Sequence, residues 1–396
     1  MTLDNAGPNH LASTRTGDHS LRELAWFFLK LGCIAFGGPA AHIALMDNEV
    51  VQRRGWLTRQ RFLDLLGAAN LIPGPSSTEL AIYIGLVRGG WPGLIVAGAC
   101  FILPAMLIVL VLAVAYVQYG ALPQVVWVLY GVKPVIIAII IRALWNLGTK
   151  AVKGPLTGAV GITVIVLSYL GANAVLLLFA GGVLAMLLSN LRHGRGAAAL
   201  AAPILLGASS TSAAAATGPA VSVSLWPLTL FFLKVGSILF GSGYVLLAFL
   251  RADLVQHWGW LTDQQLIDAI AVGQFTPGPV FTTATFIGYL IAGYPGAILA
   301  TVGIFLPSFV LVAASYPIIP RLRGSPWTAG FLDGVNVASL GLMAVVTWQL
   351  ARAALVDGVT VALGLLAAIM VFRLRVNSAW LVLGGGLIGL VFNGLR

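Results

Sequence analysis

From Leu94 to Val117 the chain carries no charged residue, and Ala174–Leu188 forms a second uncharged apolar run. A helix that crosses a bilayer needs about 20 consecutive apolar residues, so these runs with their flanks are long enough to cross. Only 9% of the 396 residues are charged and 59% are hydrophobic, against about 25% charged in an ordinary soluble domain. A soluble fold of this length has no way to bury so much apolar surface. Lipid is the solvent, and the chain reads as an all-α polytopic membrane protein.

An internal repeat organises it. Phe27-Phe28-Leu29-Lys30 returns as Phe231-Phe232-Leu233-Lys234, Gly55-Trp56-Leu57-Thr58 as Gly259-Trp260-Leu261-Thr262, and Pro73-Gly74-Pro75 as Pro277-Gly278-Pro279. Asp64 aligns with Asp268, Pro104 with Pro307 and Trp145 with Trp348 in the same order. The chain therefore divides into a polar tail over 1–21, a first repeat over 22–191, an Ala/Ser-rich linker over 192–224 and a second repeat over 225–396. Residues 1–20 lack the apolar core of a signal peptide. The apolar part of the linker, Ala197–Leu206, is too short to span.

Each half begins with an apolar helix, about 22–46 or 226–250, interrupted at Gly37-Gly38-Pro39 or Gly241-Ser242-Gly243. An amphipathic stretch, the Pro-Gly-Pro break and further apolar helices follow. If the Pro-Gly-Pro segment doubles back, each half crosses five times. That gives about 10 transmembrane helices plus two re-entrant Pro-Gly-Pro hairpins, with the repeats in inverted topology and both termini outside. Loop 47–61 then lies in the cytoplasm with Arg53, Arg54, Arg59, Arg61, Lys150 and Lys153, as the positive-inside rule asks. If the segment crossed instead, the basic loop 47–61 and its weakly charged counterpart 251–265 would share a side.

The net charge of +10 sits in short loops between apolar runs, which speaks for membrane orientation rather than a nucleic-acid stripe. No nucleic-acid partner is expected. Cys33 and Cys100 fall inside apolar segments and read as packing residues. No G-x-x-x-x-G-K-[ST] loop points to ATP hydrolysis, and no Cys/His cluster points to a metal.

What the membrane segments do contain points to an anion. Inverted repeats with broken helices hold substrate near the midplane of secondary transporters. Proline at a helix start leaves the following N–H groups free, and with the positive end of the helix dipole they attract negative charge. Gly74 and Gly278 form those breaks, Gly37 and Gly38 a third. Ser76, Ser77 and Thr78 add hydroxyls after the first Pro-Gly-Pro, Thr282 and Thr283 after the second. Lys30, Lys133 and Lys234 are intramembrane cations, costly unless paired or snorkelling. Glu79 and His42 are candidates for a coupling proton. Against those roles, Ser76-x-x-Glu79 also fits a helix capping box, and a histidine in such a place is often simply packed. Asp64 and Asp268, present in both halves, read as structural.

Phe36-Gly37-Gly38-Pro39-Ala40-Ala41-His42, the Gly-Trp-Leu-Thr element and Pro73-Gly74-Pro75-Ser76-Ser77-Thr78-Glu79 together resemble the chromate ion transporter family in its long, two-domain form. The resemblance covers about 22–190 and 226–396. It implies a multi-pass protein of the bacterial cytoplasmic membrane that exports chromate at the expense of the proton motive force and confers chromate resistance. Sulfate, also a tetrahedral dianion, is the alternative substrate. The resemblance implies no enzyme activity and no cofactor; the partners are the oxyanion, the lipid bilayer and, in an oligomeric form, a second copy as a homodimer. The second half departs from the pattern, with Gly241-Ser242-Gly243-Tyr244 in place of Gly-Gly-Pro, Leu246 for the histidine and Thr283 for the glutamate. A passive anion pore and a membrane enzyme acting on lipid phosphate are the competing readings; the latter lacks a nucleophile–base pair.

Overall fold

The computed structural model describes residues 18–192, 225–240, 245–317, 326–374 and 376–394. The Gly241-Ser242-Gly243 break and nearly all of the 192–224 linker lie outside them. The described residues are helical, with no strand among them. The first half contains α1 (Asp18–Ile34), α2 (Gly38–Met46) with a π-helical extension Asp47–Arg53, α3 (Arg59–Ala69), α4 (Ser76–Tyr119), α5 (Pro123–Ala151), α6 (Pro155–Tyr169) and α7 (Ala174–Arg192). The second repeats the order as α8 (Leu225–Ile238), α9 (Leu246–Leu250) with a π-helical extension Arg251–His257, α10 (Asp263–Phe275), a 3-10 turn Val280–Thr282 leading into α11 (Thr283–Ser315), α12 (Pro326–Ala354), α13 (Gly358–Phe372) and α14 (Ser378–Gly394). Four helical segments are long and apolar enough to cross a membrane: Ser76–Tyr119, Pro123–Ala151, Val280–Ser315 and Trp327–Ala354. Large apolar side chains face outward along them and their neighbours, Val111 being 66% and Leu387 65% exposed.

The Gly-Trp-Leu-Thr element is a turn that starts a helix. Thr58 accepts from the Arg61 N–H at 3.2 Å and Thr262 from the Gln265 N–H at 3.1 Å. Such caps satisfy one of the N–H groups that every helix start leaves without an intrahelical partner.

Helices α4 and α11 are each two helices joined at a sharp turn. Gly90 has φ 61° and ψ −149°, and Gly293 repeats this at 62° and −150°; only glycine occupies that region at little cost. Beyond the turn the second arm packs back on the first. Gly85 meets Gly93, and Gly288 meets Gly296, so closely that a Cβ on any of them would strike the opposite backbone. The second arm of each helix therefore runs back along the first.

The first helix behaves differently from the single interrupted span expected over 22–46. Gly89 and Gly93 approach Leu21 and Leu24, while Gly32 lies against the backbone of Cys100 and Phe101. So α1 runs alongside the second arm of α4, in the same direction. Arg54 then donates to Glu23 at 2.7 Å, and Trp56 packs edge-on against Phe27 at 5.7 Å. Residues 54–56 are thus back at the level where α1 began, and α1 with α2 forms a hairpin. The second half matches it: Lys234 pairs with Asp253 at 2.7 Å and Phe231 meets Trp258 at 5.5 Å. A Gly-Gly-Pro run permits a kink or a full reversal; here it makes the reversal.

The two halves run in opposite directions. Tyr83, near the Gly90 turn, bonds Ser315 near the end of α11 at 2.6 Å, and Arg61 bonds Tyr316 at 3.1 Å. At the other end Tyr116, near the end of α4, bonds Asp268 at 2.9 Å and packs on Phe286 at 5.2 Å. The halves also clasp each other. Helix α5 packs on α13 and α14, and α12 packs on α6 and α7. Glycine makes these contacts close: Gly131 meets Gly385 and Gly389, and Gly334 meets Gly181 and Gly182. Helices in lipid associate through such small residues, where backbones can approach.

Arg22, Arg53, Arg54, Arg59, Arg61, Arg88 and Lys153 gather at the end where α1 starts, hereafter the basic face. Helix α7 ends at this face, its Ser189 against Gly330 near the start of α12. Because the second half is inverted, Leu225 at the start of α8 lies at the opposite face from the end of α7, unlike the shared face that a non-spanning linker leads one to expect. Asp18 and Gly394 also lie at opposite faces, unlike the shared outer side expected.

The glycine contacts give a direct test. Gly131→Leu places a side chain against the Gly385 carbonyl and should lower stability by at least the about 1–3 kcal/mol typical of overpacking. Gly384→Leu, with nothing within 4 Å of its added Cβ, should be silent. Melting of the two purified variants in detergent, read by fluorescence, compares them directly.

Candidate functional site

The helix breaks of both halves meet at the centre. The Gly74 N–H donates to the Leu239 carbonyl at 2.7 Å, and the Gly278 N–H donates to the Ala35 carbonyl at 3.0 Å. Each Pro-Gly-Pro is thereby tied to the end of the first helix of the other half, and these two N–H groups are engaged within the protein. At the start of α4 the Thr78 and Glu79 N–H groups donate to the Pro75 carbonyl at 2.7 and 3.0 Å. The N–H groups of Ser76 and Ser77 have no acceptor within the helix, as its first turn dictates.

His42 fastens the first half of this junction. Its Nε2 lies 3.1 Å from the Ala35 carbonyl and its Nδ1 3.2 Å from the Ser77 hydroxyl. A carbonyl only accepts, so Nε2 carries the proton, and in the neutral ring Nδ1 accepts from Ser77. The ring is fully buried and packs edge-on against Phe101 at 5.4 Å. Gly37 and Gly38 turn the chain just before it, with φ 105° and 72°.

Beside the junction lies a group of polar atoms without partners. Glu79 is 0% exposed, and neither carboxyl oxygen makes a hydrogen bond. The Ser308 and Thr78 hydroxyls, both buried, are also unpartnered. A Cβ on Gly74 would strike both the Glu79 carboxyl and the Ser308 hydroxyl, so these two groups share the space over that glycine. The capping box read from Ser76-x-x-Glu79 does not form: Pro75 occupies the cap position and no side chain caps it. A charged carboxylate with no donor is among the costliest groups a protein can hold.

The second half lacks this group. Gly278 faces Ala105 where Gly74 faces Ser308. The Thr282 and Thr283 hydroxyls donate to the Pro279 and Val280 carbonyls, each at 2.8 Å, and so serve their own turn.

The three lysines occupy three different places. Lys30 is exposed on the outer side of α1. Lys234 pairs with Asp253 and borders a cavity of about 460 Å³ with Arg251, His257 and Gln349. Lys133 is 3.2 Å from Asp268 and donates to Gln264 at 2.6 Å. Ser308, Gln264 and Tyr116 escaped the sequence reading. A polar residue directly after Pro307 inside an apolar run was the available sign for Ser308; nothing local marked the other two.

With this geometry in view, the comparisons with known proteins are informative. Residues 22–186 and 226–390 each match the family model described as Chromate transporter. The chain belongs to the chromate transporter family. It is 35% identical to a chromate transport protein of Cupriavidus metallidurans, over 98% of this chain and 96% of that one. It is 32% identical to a chromate transport protein of Pseudomonas aeruginosa, over 92% and 91%, and 32% identical to a probable chromate transport protein of Synechococcus elongatus, over 94% and 96%. No solved structure matches. As a member of this family with several long apolar helices, the chain is a multi-pass membrane protein built of two repeats.

If Gly74 and Glu79 share one space, their substitutions are coupled. Gly74→Ala should destabilise strongly, and Gly74→Ala with Glu79→Ala should cost less than the sum of the singles by about 0.5–3 kcal/mol. Detergent melting curves of the three variants measure this. Strict additivity would place the Glu79 side chain elsewhere.

Proposed function

We propose that the chain is a secondary active exporter of chromate, driven by the proton motive force and conferring chromate resistance. The observation that carries this reading is the meeting of both Pro-Gly-Pro breaks at the centre of two oppositely running halves. Transporters hold substrate where broken helices of inverted repeats meet, with helix starts facing an anion. The Ser76 and Ser77 N–H groups, the Thr78 hydroxyl and the Gly37-Gly38 turn supply the donors, with Ser77 held by His42, Gly74 and Gly278 shaping the floor and Thr282 and Thr283 closing the opposite side. Lys30, Lys133 and Lys234 attract the oxyanion along its way. Glu79 carries the coupling proton, and His42 links it to the first helix through Ser77.

In this reading the second arm of α4, with α5, α6 and α7, crosses the bilayer, as do their counterparts in the second half. The α1–α2 and α3–α4 hairpins and their counterparts enter and leave by one face. The basic face is cytoplasmic by the positive-inside rule, and the membrane is the bacterial cytoplasmic membrane.

The energetics fit export. One elementary charge crossing 100 mV gains about 2.3 kcal/mol, so a dianion leaving a negative interior gains about 4.6 kcal/mol per 100 mV. A proton on Glu79 and an anion beside it favour each other's binding, since each removes like-charge repulsion. They therefore travel together as one net negative charge, which gains about 2.3 kcal/mol per 100 mV; the outgoing proton moves against its own gradient, so the electrical part of the proton motive force alone drives the step.

Chromate uptake into everted membrane vesicles tests this. Uptake should collapse on adding a protonophore and fall with excess sulfate, which has the same shape and charge. Uptake that ignores the protonophore would favour the passive pore. Glu79→Gln should keep transport but remove its response to pH; a variant that still follows pH would take Glu79 out of the coupling step.

A further inference from the structure

We infer that Asp268 is a tethered competitor of the transported anion for the Lys133 ammonium, so that loss of the Asp268 charge opens Lys133 to substrate. The inference rests on the transport reading above and assigns one ion pair a place in it.

The pair joins the two halves, Lys133 on α5 of the first and Asp268 on α10 of the second. Lys133 Nζ lies 3.2 Å from Asp268 Oδ1, with side-chain exposures of 16% and 3%. Gln264, one turn before Asp268, accepts from the same ammonium at 2.6 Å and is itself anchored to the Ala353 carbonyl at 2.7 Å. Tyr116 of α4 donates to the other carboxylate oxygen at 2.9 Å. The ammonium is thus held in place by a fixed amide and reached by solvent, while its carboxylate partner is sealed. An anion that arrives at Lys133 meets a cation already neutralised.

The other charged groups around the pair have their own places: Asp357 accepts at 2.6 Å from Tyr130, one turn before Lys133 on α5, Arg142 and Lys150 lie further along α5, and His257 closes the π-helical stretch Arg251–His257. Helices α11 and α14, which pack on α10, carry no Lys, Arg, Asp or Glu; α11 has only Tyr289 and Tyr294 as titratable groups. On α12 Asp333 is paired with Lys153 and Arg352 is exposed. At the start of α10 Asp263 is taken by Arg251 at 2.8 Å, and in the π-helical stretch Asp253 is taken by Lys234. In direct contact, one cation meets one carboxylate.

The lysine of the pair is not repeated. At the equivalent position in the first half, Asp64 keeps its carboxylate, and Asn336 stands where Lys133 would be. The cation is present on one side only, beside the half-helix that leads to the Pro277-Gly278-Pro279 break, at the face opposite the basic one. Breaking a buried pair by removing one partner leaves the other uncompensated, and a tetrahedral dianion is the natural replacement for a lost carboxylate on Lys133. Substrate affinity is therefore linked to the charge of Asp268.

The experiment compares chromate uptake by everted vesicles carrying the unmodified chain, Lys133→Gln, Asp268→Asn and the double variant, between about pH 6 and 8. Asp268→Asn should lower KM about threefold or more and flatten its rise with pH, and Lys133→Gln should raise KM about tenfold at every pH. The double variant, neutral and nearly isosteric, should insert normally but keep the high KM. A double variant with the original KM and pH profile would overturn the inference and make the pair structural, as would an Asp268→Asn variant indistinguishable from the unmodified chain. If Asp268→Asn alone fails to reach the membrane, stabilisation of the purified unmodified chain by chromate decides. Stabilisation that grows as pH falls and is lost in Lys133→Gln supports the competitor role; the same stabilisation at every pH overturns it. No uptake by the unmodified chain would overturn the transport reading and this inference with it, an outcome distinct from any difference among variants.

Discussion

The Ala35 carbonyl at the end of α1 accepts from His42 Nε2 in its own half and from the Gly278 N–H of the other. Its counterpart Leu239 accepts from Gly74. In a membrane interior no water can satisfy a broken helix, so irregular backbone persists only where protein supplies the missing partners. Each half thus completes the hydrogen bonding of the other. Neither set of breaks could stay open at this depth alone, and the outer helices that clasp across the halves hold the breaks in register.

That mutual dependence explains why some of the architecture was legible in the sequence and some was not. The repeat and the Pro-Gly-Pro breaks follow from local residue types, whereas the sharp turn at Gly90 carried no expectation from the sequence and shows itself in the structure through its positive φ and the small residues facing it. The reversal at Gly37-Gly38-Pro39 did not follow, because the same residues allow either a kink or a hairpin; what settles it is Arg54 returning to Glu23 and Trp56 to Phe27. The site divides in the same way. Glu79 and His42 stood out as titratable groups in apolar sequence, whereas Ser308 and the partners of Lys133 come from the other half and no local pattern points to them. Asp268 looked structural because it recurs as Asp64; its distinguishing feature is the lysine it meets, which does not recur.

Polar satisfaction is also distributed unequally. The second break has its threonine hydroxyls turned onto their own carbonyls and an alanine over its glycine. The first has a glutamate, a serine and a threonine with no partners. The two copies of the motif thus differ in how far their polar groups are satisfied, although their backbones follow the same course.

The contrast between Ser308 and Ala105 bears on motion as well. Two oppositely oriented copies of one unit can exchange shapes, and in a perfectly symmetric molecule the two resulting arrangements would be related by the two-fold axis between the copies and equal in energy. Replacing a methyl group with a hydroxyl beside the Glu79 carboxyl on one side alone lifts that degeneracy. If the chain works by such an exchange, the bias sets which arrangement is populated at rest; over a full cycle it cancels, so it shapes the occupancy of the states and not the work of transport.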